Sequence, residues 1–478
     1  MLPSIFNKKS FLSFATLGKF SLFILTCFIC SPNFAAAQTP ANTPERNIKE
    51  SVLSSLHNHP VIKGFQEYTE ASYYEVGKAK SGWFPRLDAR AGYGPRQYSD
   101  PTTRFAEHDK RWYKRFDGEI ILTQTIWDGL ATASRVDINK AKLNSANNRL
   151  FDNSEAIALD AILAHIEVLR EQELVRLAAQ NVETHRNILA SQQERMASGV
   201  DTMADVTQTQ GRLAQAEATF ANTQADFQIA LANYKRVTGL EADALISPSY
   251  PTTAPASYEE ALMFAQTSNP KLSAYMSDIE AADADIRLSK SGFWPVVYLE
   301  LGSRYTDHVD SSESWTRGYT ALLRTNWNLF NGLYDYYSVK ASAARSRQSR
   351  ADYQDVYEQL AQDTRDTWSR LLSTKEQIRF YSSAVDYNKQ TTSMYWEQFN
   401  VGQRSLLDVL DAENELFSNS MQLVTAQMNE LGSGYRLLTL GGRLLESMGI
   451  PKAAFEKGEM GTPIIMKASP VSQDAELN

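Results

Sequence analysis

The hexapeptide Lys80-Ser81-Gly82-Trp83-Phe84-Pro85 recurs 210 residues later as Lys290-Ser291-Gly292-Phe293-Trp294-Pro295. His59-Pro60 returns at the same offset as Asn269-Pro270. Further along, Trp127-Asp128-Gly129-Leu130 is answered by Phe330-Asn331-Gly332-Leu333, and Gly199 and Asp205 by Gly402 and Asp408, all at an offset of 203. A period of roughly 200 residues is far longer than a solenoid repeat and implies two pseudo-equivalent halves. The slip of seven residues lies between Pro85 and Trp127 in one copy and between Pro295 and Phe330 in the other. A length change confined there marks a surface loop.

Each half carries one very long helical stretch. Ala131 to about Ser198 and Ala341 to about Phe399 contain neither proline nor glycine. A helix of about 65 residues extends on the order of 100 Å, several times the ordinary globular length. Such helices must pack side by side along a shared axis. Shorter helices are predicted at about Pro44–Lys80, Met203–Val237, Tyr258–Ser289 and Leu406–Ser447.

Between the helices lie four segments of alternating polarity, at about 86–94, 116–127, 296–305 and 318–329. Leu87, Ala89 and Ala91 alternate with Asp88, Arg90 and Gly92, and Val297, Leu299 and Leu301 with Tyr298, Glu300 and Gly302. Ile121 breaks the alternation of the second segment. Strands of about ten residues with one apolar side suit a membrane barrel, and equally a half-buried soluble sheet. The flanking aromatics favour the barrel: Trp83, Phe84, Trp127, Phe293, Trp294, Trp327 and Phe330 cluster where strands meet helices, as in a bilayer-interface girdle. Four strands cannot close a barrel, and an open edge is not viable in lipid, so the alternation predicts a homo-oligomer. Two chains would supply eight strands and three would supply twelve; the sequence does not choose.

The first 37 residues read as a secretory signal peptide, with Lys8 and Lys9, an apolar run near Phe20–Ile29 and Ala35-Ala36-Ala37 before Gln38. Both cysteines, Cys27 and Cys30, lie inside it, which removes disulfides and cysteine-based metal sites from the mature chain. Neither follows the small residue that a lipid-anchor site requires. Loss of Lys8, Lys9 and Lys19 takes the net charge from −8 to −11, so nucleic acid is not an expected partner. After the signal there is no apolar run long enough for a transmembrane helix. Residues 38–250 and 251–450 then form the two structural repeats, and 451–478 a mobile tail.

A glycine turn joins the long helix to the next in each half: Gly199-Val200-Asp201-Thr202 and Val401-Gly402-Gln403-Arg404. Glycine supplies a left-handed cap. Thr202 with Asp205, and Ser405 with Asp408, match the start signal of the following helix. Asp411 lies one turn beyond Asp408 on the same face. In a symmetric oligomer Asp408 and Asp411 would form rings of like charge that favour cations; the alternative is a solvated helix start.

At this second tip the chain resembles the TolC-type outer-membrane channel family. Val401-Gly402-Gln403-Arg404-Ser405-Leu406-Leu407-Asp408-Val409-Leu410-Asp411-Ala412 is similar to the family pattern V-G-x-R-[ST]-x-x-D-V-L-D-A. The duplicated proline motifs and the Trp-Asp-Gly/Phe-Asn-Gly exits agree with it. The resemblance implies a homotrimer, with a twelve-stranded transmembrane β-barrel continued by a long antiparallel α-helical barrel across the periplasm. It also implies a periplasmic adaptor docking on the Gly199, Val200, Val401, Gly402 and Gln403 tips. An inner-membrane ABC transporter or proton-driven pump would supply energy, and outer-membrane lipid would surround the barrel. Asp408 and Asp411 match the acids of the periplasmic entrance, and Arg404 and Asp205 match its gate links. Phe399 stands in place of a tyrosine and Ala204 in place of a threonine, so the closed-state links must differ, with Arg404 expected on Asp201 or Asp205.

The six histidines show no ligand spacing, and no catalytic triad, paired-carboxylate site, P-loop or dinucleotide pattern stands out. No enzyme, cofactor or metal is expected. The chain reads as an outer-membrane export channel, a passive exit duct for type I protein secretion. The alternatives are drug or small-molecule efflux and a non-conducting coiled-coil scaffold or adhesin.

Overall fold

The computed structural model describes residues 46–451 apart from 100, 106, 108–111 and 309–314. The expected signal peptide and nearly all of the expected tail lie outside the described residues. The elements run α1 (Ile48–Asn58), α2 (Pro60–Lys80), β1 (Arg86–Gln97), α3 (Pro101–Phe105), β2 (Trp112–Trp127), α4 (Ala131–Ala197) and α5 (Met203–Thr238). The second half repeats them as α6 (Tyr258–Ser268), α7 (Pro270–Lys290), β3 (Val296–Asp307), β4 (Trp315–Asn326), α8 (Tyr334–Asn400) and α9 (Leu406–Leu440), closed by α10 (Leu444–Ser447). The two long helices, α4 and α8, have 67 residues each, about 100 Å.

Three stretches expected as single helices are broken, each for a local reason. Pro60 and Pro270 lack an N–H and force the preceding residue out of the helical region. His59 and Asn269 accordingly adopt almost identical extended conformations, φ/ψ −67/125° and −66/125°. Each also caps the next helix: Asn269 Oδ1 accepts from the Lys271 amide at 2.8 Å, and His59 Nδ1 from the Val61 amide at 3.4 Å. The duplicated proline motif is thus a pair of helix breaks. The third break, between α9 and α10, falls at Gly441-Gly442, where Gly442 has φ +63°.

α4 packs against α5 and α9 in the half nearest the glycine tips, and against α2 and α7 in the half nearest the sheet. α8 follows the same rule with α9 and α7. Midway along α4 a belt crosses this layer. Val52 and Leu56 of α1, Leu150 and Ile162 of α4, and Leu444 and Leu445 of α10 are buried together. The linker after α5 completes the belt through a bridge between Arg46 and Leu245.

The strands form one antiparallel sheet in the order β1-β2-β3-β4, with β1 and β4 at its edges. Register sorts its side chains into two faces. Arg90 pairs with Glu119 and Glu119 with Arg304, a charged row on the face that also carries Asp88 and Glu300. Leu87, Ile120, Leu122, Leu299, Leu301 and Leu323 lie on the other. The irregular Ile121 falls on the polar face, opposite Asp88 and Gly302.

Two details of the sheet place aromatics. A bulge between Thr125 and Trp127 sets Trp127 opposite Val297. In a regular ladder Ile126 would face Val297 and Trp127 would point to the charged face; the bulge puts the indole on the apolar face. β4 ends at Asn326, short of the expected 329, because Val296 is the last residue that can pair with it. The next position on β3 is Pro295, which has no N–H to offer. Trp327 instead donates its indole N–H to the Phe293 carbonyl at 3.2 Å and anchors the turn.

Candidate functional site: the two helix tips

At the first tip α4 ends at Ala197, Gly199 turns the chain at φ +78°, and Thr202 caps α5. Asp205 closes a capping box. Its carboxylate accepts from the Thr202 hydroxyl at 2.7 Å and amide at 3.0 Å, and these bonds hold its pKa below the ordinary carboxylate value. The second tip has the same backbone, with Gly402 at φ +79° and Ser405 capping α9. Ser405 donates its hydroxyl to Asp408 at 2.9 Å.

Each turn is also tied by an arginine bridging six residues. Arg195 donates from Nε to Asp201 at 2.7 Å, and Arg404 donates from Nε to Gln398 at 3.1 Å. Under the 203-residue offset Arg195 corresponds to Gln398 and Asp201 to Arg404. The two copies therefore make the same link with the cation on opposite sides of the turn.

The expected bond from Arg404 to Asp201 or Asp205 is not made within the chain. Asp201 is taken by Arg195, and Asp205 is turned back into its own helix start. Arg404 lies instead 4.1 Å over the Tyr395 ring and 3.7 Å from Asp408. Contact between the two tips comes through Arg195, whose guanidinium lies 4.7 Å over the Phe399 ring. Phe399 is buried with Ile188, Leu406, Val409 and Leu410, with Trp396 edge-on at 6.0 Å. The tyrosine hydroxyl missing at position 399 is thus replaced by a cation–π contact.

Asp411 meets Arg212 of α5 at 2.8 Å, a second tie between the halves. The two candidate ring acids are therefore each balanced by an arginine of the same chain, Asp408 by Arg404 and Asp411 by Arg212. His185, buried beside Arg212, has its pKa lowered by desolvation and then by that arginine. Sequence reasoning missed Arg195, Arg212, Tyr395 and Gln398. The 203-residue offset could have flagged the first and last, because it pairs an arginine-acid link with a glutamine-arginine link. Arg212 carried no such signal. Val200, Met203 and Val401 project as exposed apolar residues at the tips, beside Gly199, Gly402 and Gln403.

At the opposite end Trp83, Phe84, Trp127, Phe293, Trp294, Trp327 and Phe330 are all exposed. A second exposed set, Tyr93, Trp112, Trp315 and Tyr319, sits toward the far ends of the strands on the apolar face. The structure also brings together Ser51, His165 and Tyr234. His165 Nε2 donates to the Ile246 carbonyl at 2.9 Å, so Nδ1 accepts from Ser51 at 3.0 Å. All three residues are fully buried, which makes this group a structural lock in the belt rather than a reactive serine.

A family model described as outer membrane efflux protein matches residues 53–240 and 262–443, one stretch in each repeat and most of the chain. The chain belongs to the outer membrane efflux protein family. It is an outer-membrane channel protein and not an enzyme. Among its relatives, the outer membrane efflux protein BepC of Brucella suis biovar 1 is 23% identical, over 71% of this chain and 75% of its own. The alkaline protease secretion protein AprF of Pseudomonas aeruginosa is 23% identical, over 85% of this chain and 86% of its own. The crystal structure of the outer membrane protein VceC from Vibrio cholerae superposes with a TM-score of 0.69 at 18% identity, over 84% of this chain and 96% of that one. That likeness establishes the fold.

Proposed function

We propose that three copies of this chain form a passive export duct, a twelve-stranded barrel in the outer membrane continued by a helical barrel through the periplasm. The observation that carries this reading is the sheet. Its apolar face is bounded at both ends by exposed aromatics, and its two edges have no partner strand among the described residues. β2 has 16 residues; at about 3.3 Å each and a tilt of about 45°, it rises roughly 37 Å, enough to cross a bilayer core of about 30 Å. Edges in lipid must be paired, and only further copies can pair them. The helices repeat the argument: Leu372, Phe380, Tyr387 and Met394 form an exposed apolar stripe of near-heptad spacing along α8.

In this reading the tips are the periplasmic entrance. The Arg195–Phe399 contact holds it closed, Asp201 and Arg404 tie the two turns, and Asp408 and Asp411 line it. The exposed apolar tip residues receive an adaptor protein, which connects the duct to an energised inner-membrane transporter. The cargo we assign is protein, exported by a type I route. Near end-to-end similarity to the alkaline protease secretion protein supports this choice. Small-molecule efflux is the second reading, supported by the relative named for efflux. Deleting the gene and comparing secreted proteins with drug susceptibility separates them. Loss of a secreted protein at unchanged susceptibility supports secretion, and the reverse supports efflux.

A further inference from the structure

Between α4, α8 and α9, on the tip side of the belt, lies a cleft of about 400 Å³ that the duct reading leaves without a role. Three arginines line it, one from each helix: Arg170, Arg370 and Arg436. Arg170 is neutralised on its own helix by Glu167, also in the lining, and by Glu171 at 2.8 Å. Arg370 and Arg436 have no carboxylate within ion-pair distance among the described residues. Two guanidinium groups outside any ion pair therefore open on one space, beside the Asn429 amide and the Ser433 hydroxyl, with Asp160 close enough to Arg436 to feel its charge. Gly432 keeps that space clear. A Cβ there would stand 3.1 Å from Leu163 of α4, so the helices close up behind the cleft without a side chain filling it.

The cleft faces away from the belt. Ala161, His165 and Val168 of α4 are buried on the side of α1 and the linker, whereas Leu163, Glu167 and Arg170 lie roughly half a turn away. On α9, Gly434 abuts Tyr250 of the linker, while Gly432 and Arg436 lie roughly half a turn from it.

We infer that this cleft is a binding site for a dianionic group, with Arg370 and Arg436 each gripping one oxyanion, carboxylate or phosphate. Guanidinium forks match the planar pair of oxygens that either offers, and the volume lies in the ordinary range of ligand sites. The site stands on the single chain. Its opening on the duct lumen, where it would contact acidic cargo in transit, rests on the proposed function.

Titration calorimetry of the detergent-solubilised, assembled protein tests the site, with citrate and pyrophosphate as separate probes at constant ionic strength. Saturable binding of at least one is expected, weakened about tenfold or more in Arg370→Gln/Arg436→Gln and partly retained in Arg370→Lys/Arg436→Lys. Citrate alone binding identifies a carboxylate site, pyrophosphate alone a phosphate site. No saturable binding of either, or equal binding by the Gln variant with unchanged thermal melting, overturns the inference. Should the Gln variant fail to assemble, the Lys variant decides: undiminished binding overturns the role of the guanidinium forks. In planar bilayers the bound probe should reduce the current of the wild type but not of the Gln variant. Binding without any effect on the current overturns the lumenal placement. Absence of any current in the probe-free protein counts against the duct itself, and the calorimetry still judges the site.

Discussion

Arg195→Ala should loosen the proposed entrance without unfolding the chain. The guanidinium makes two contacts: a part-buried ion pair with Asp201 at 2.7 Å and a stack 4.7 Å over Phe399. The pair is partly solvent-screened and contributes on the order of 1 kcal/mol, and the cation–π contact adds about as much. Of this only the stack, about 1 kcal/mol per tip, differs between the two arrangements, roughly a fivefold change in an equilibrium constant. Because the stack joins α4 to α8, it exists only while the two hairpins are together, so its loss acts on the closed arrangement alone. Single-channel recording should show open probability rising about fivefold or more, with unchanged conductance of the open state. Arg195→Lys keeps the charge but loses the planar stack, and should fall between. Closed-time distributions of Arg195→Ala identical to wild type, in a protein that still assembles, would refute the reasoning.

Other consequences follow from the same contacts. Asp411→Asn frees Arg212 of its partner and removes a negative charge from the proposed entrance, so cation selectivity measured by reversal potential should fall; an unchanged reversal potential places Asp411 outside the conduction path. The buried Glu155 carboxyl accepts from the Leu444 and Leu445 amides, each at 3.1 Å, and burial raises its pKa to about 8. Between the ordinary value of 4.5 and about 8 the folded chain holds a proton that the unfolded chain releases. Stability from this group is therefore full below that window, falls by up to about 1.4 kcal/mol per pH unit within it, and is lost above. The melting temperature of Glu155→Gln should depend less on pH than that of wild type between pH 5 and 8, and equal slopes would refute the assignment. Gly129→Ala should destabilise by about 2 kcal/mol or more, because φ is +66° and the new Cβ would lie 2.7 Å from Trp294 Cβ; chemical denaturation measures it.

Much of the architecture was legible because it depends on local chemistry repeated at a fixed offset. The long helices follow from the absence of proline and glycine, and the glycine turns and capping residues locate the tips. The helix breaks at His59 and Asn269 were also written in the sequence, as residues before proline, but the repeat drew attention to the motif as a marker rather than as a break. The bulge at Ile126 that turns Trp127 onto the apolar face has no local signature; it is set by pairing with β3, about 170 residues away in sequence. The contacts at the tips were least legible. Asp201 and Asp205 both looked free to receive Arg404, and only the fold shows that Arg195 and Thr202 reach them first. The pairing of Asp411 with Arg212 depends on how two hairpins from different halves lie against each other, which side-chain spacing along one helix does not encode.

The central claim, that copies of this chain enclose a conducting duct closed at the glycine tips, is tested most directly by single-channel recording of the purified protein in planar bilayers. The account predicts stepwise currents that are brief or rare in wild type and lengthen in Arg195→Ala. A correctly assembled, membrane-inserted protein that carries no current in either form would contradict it.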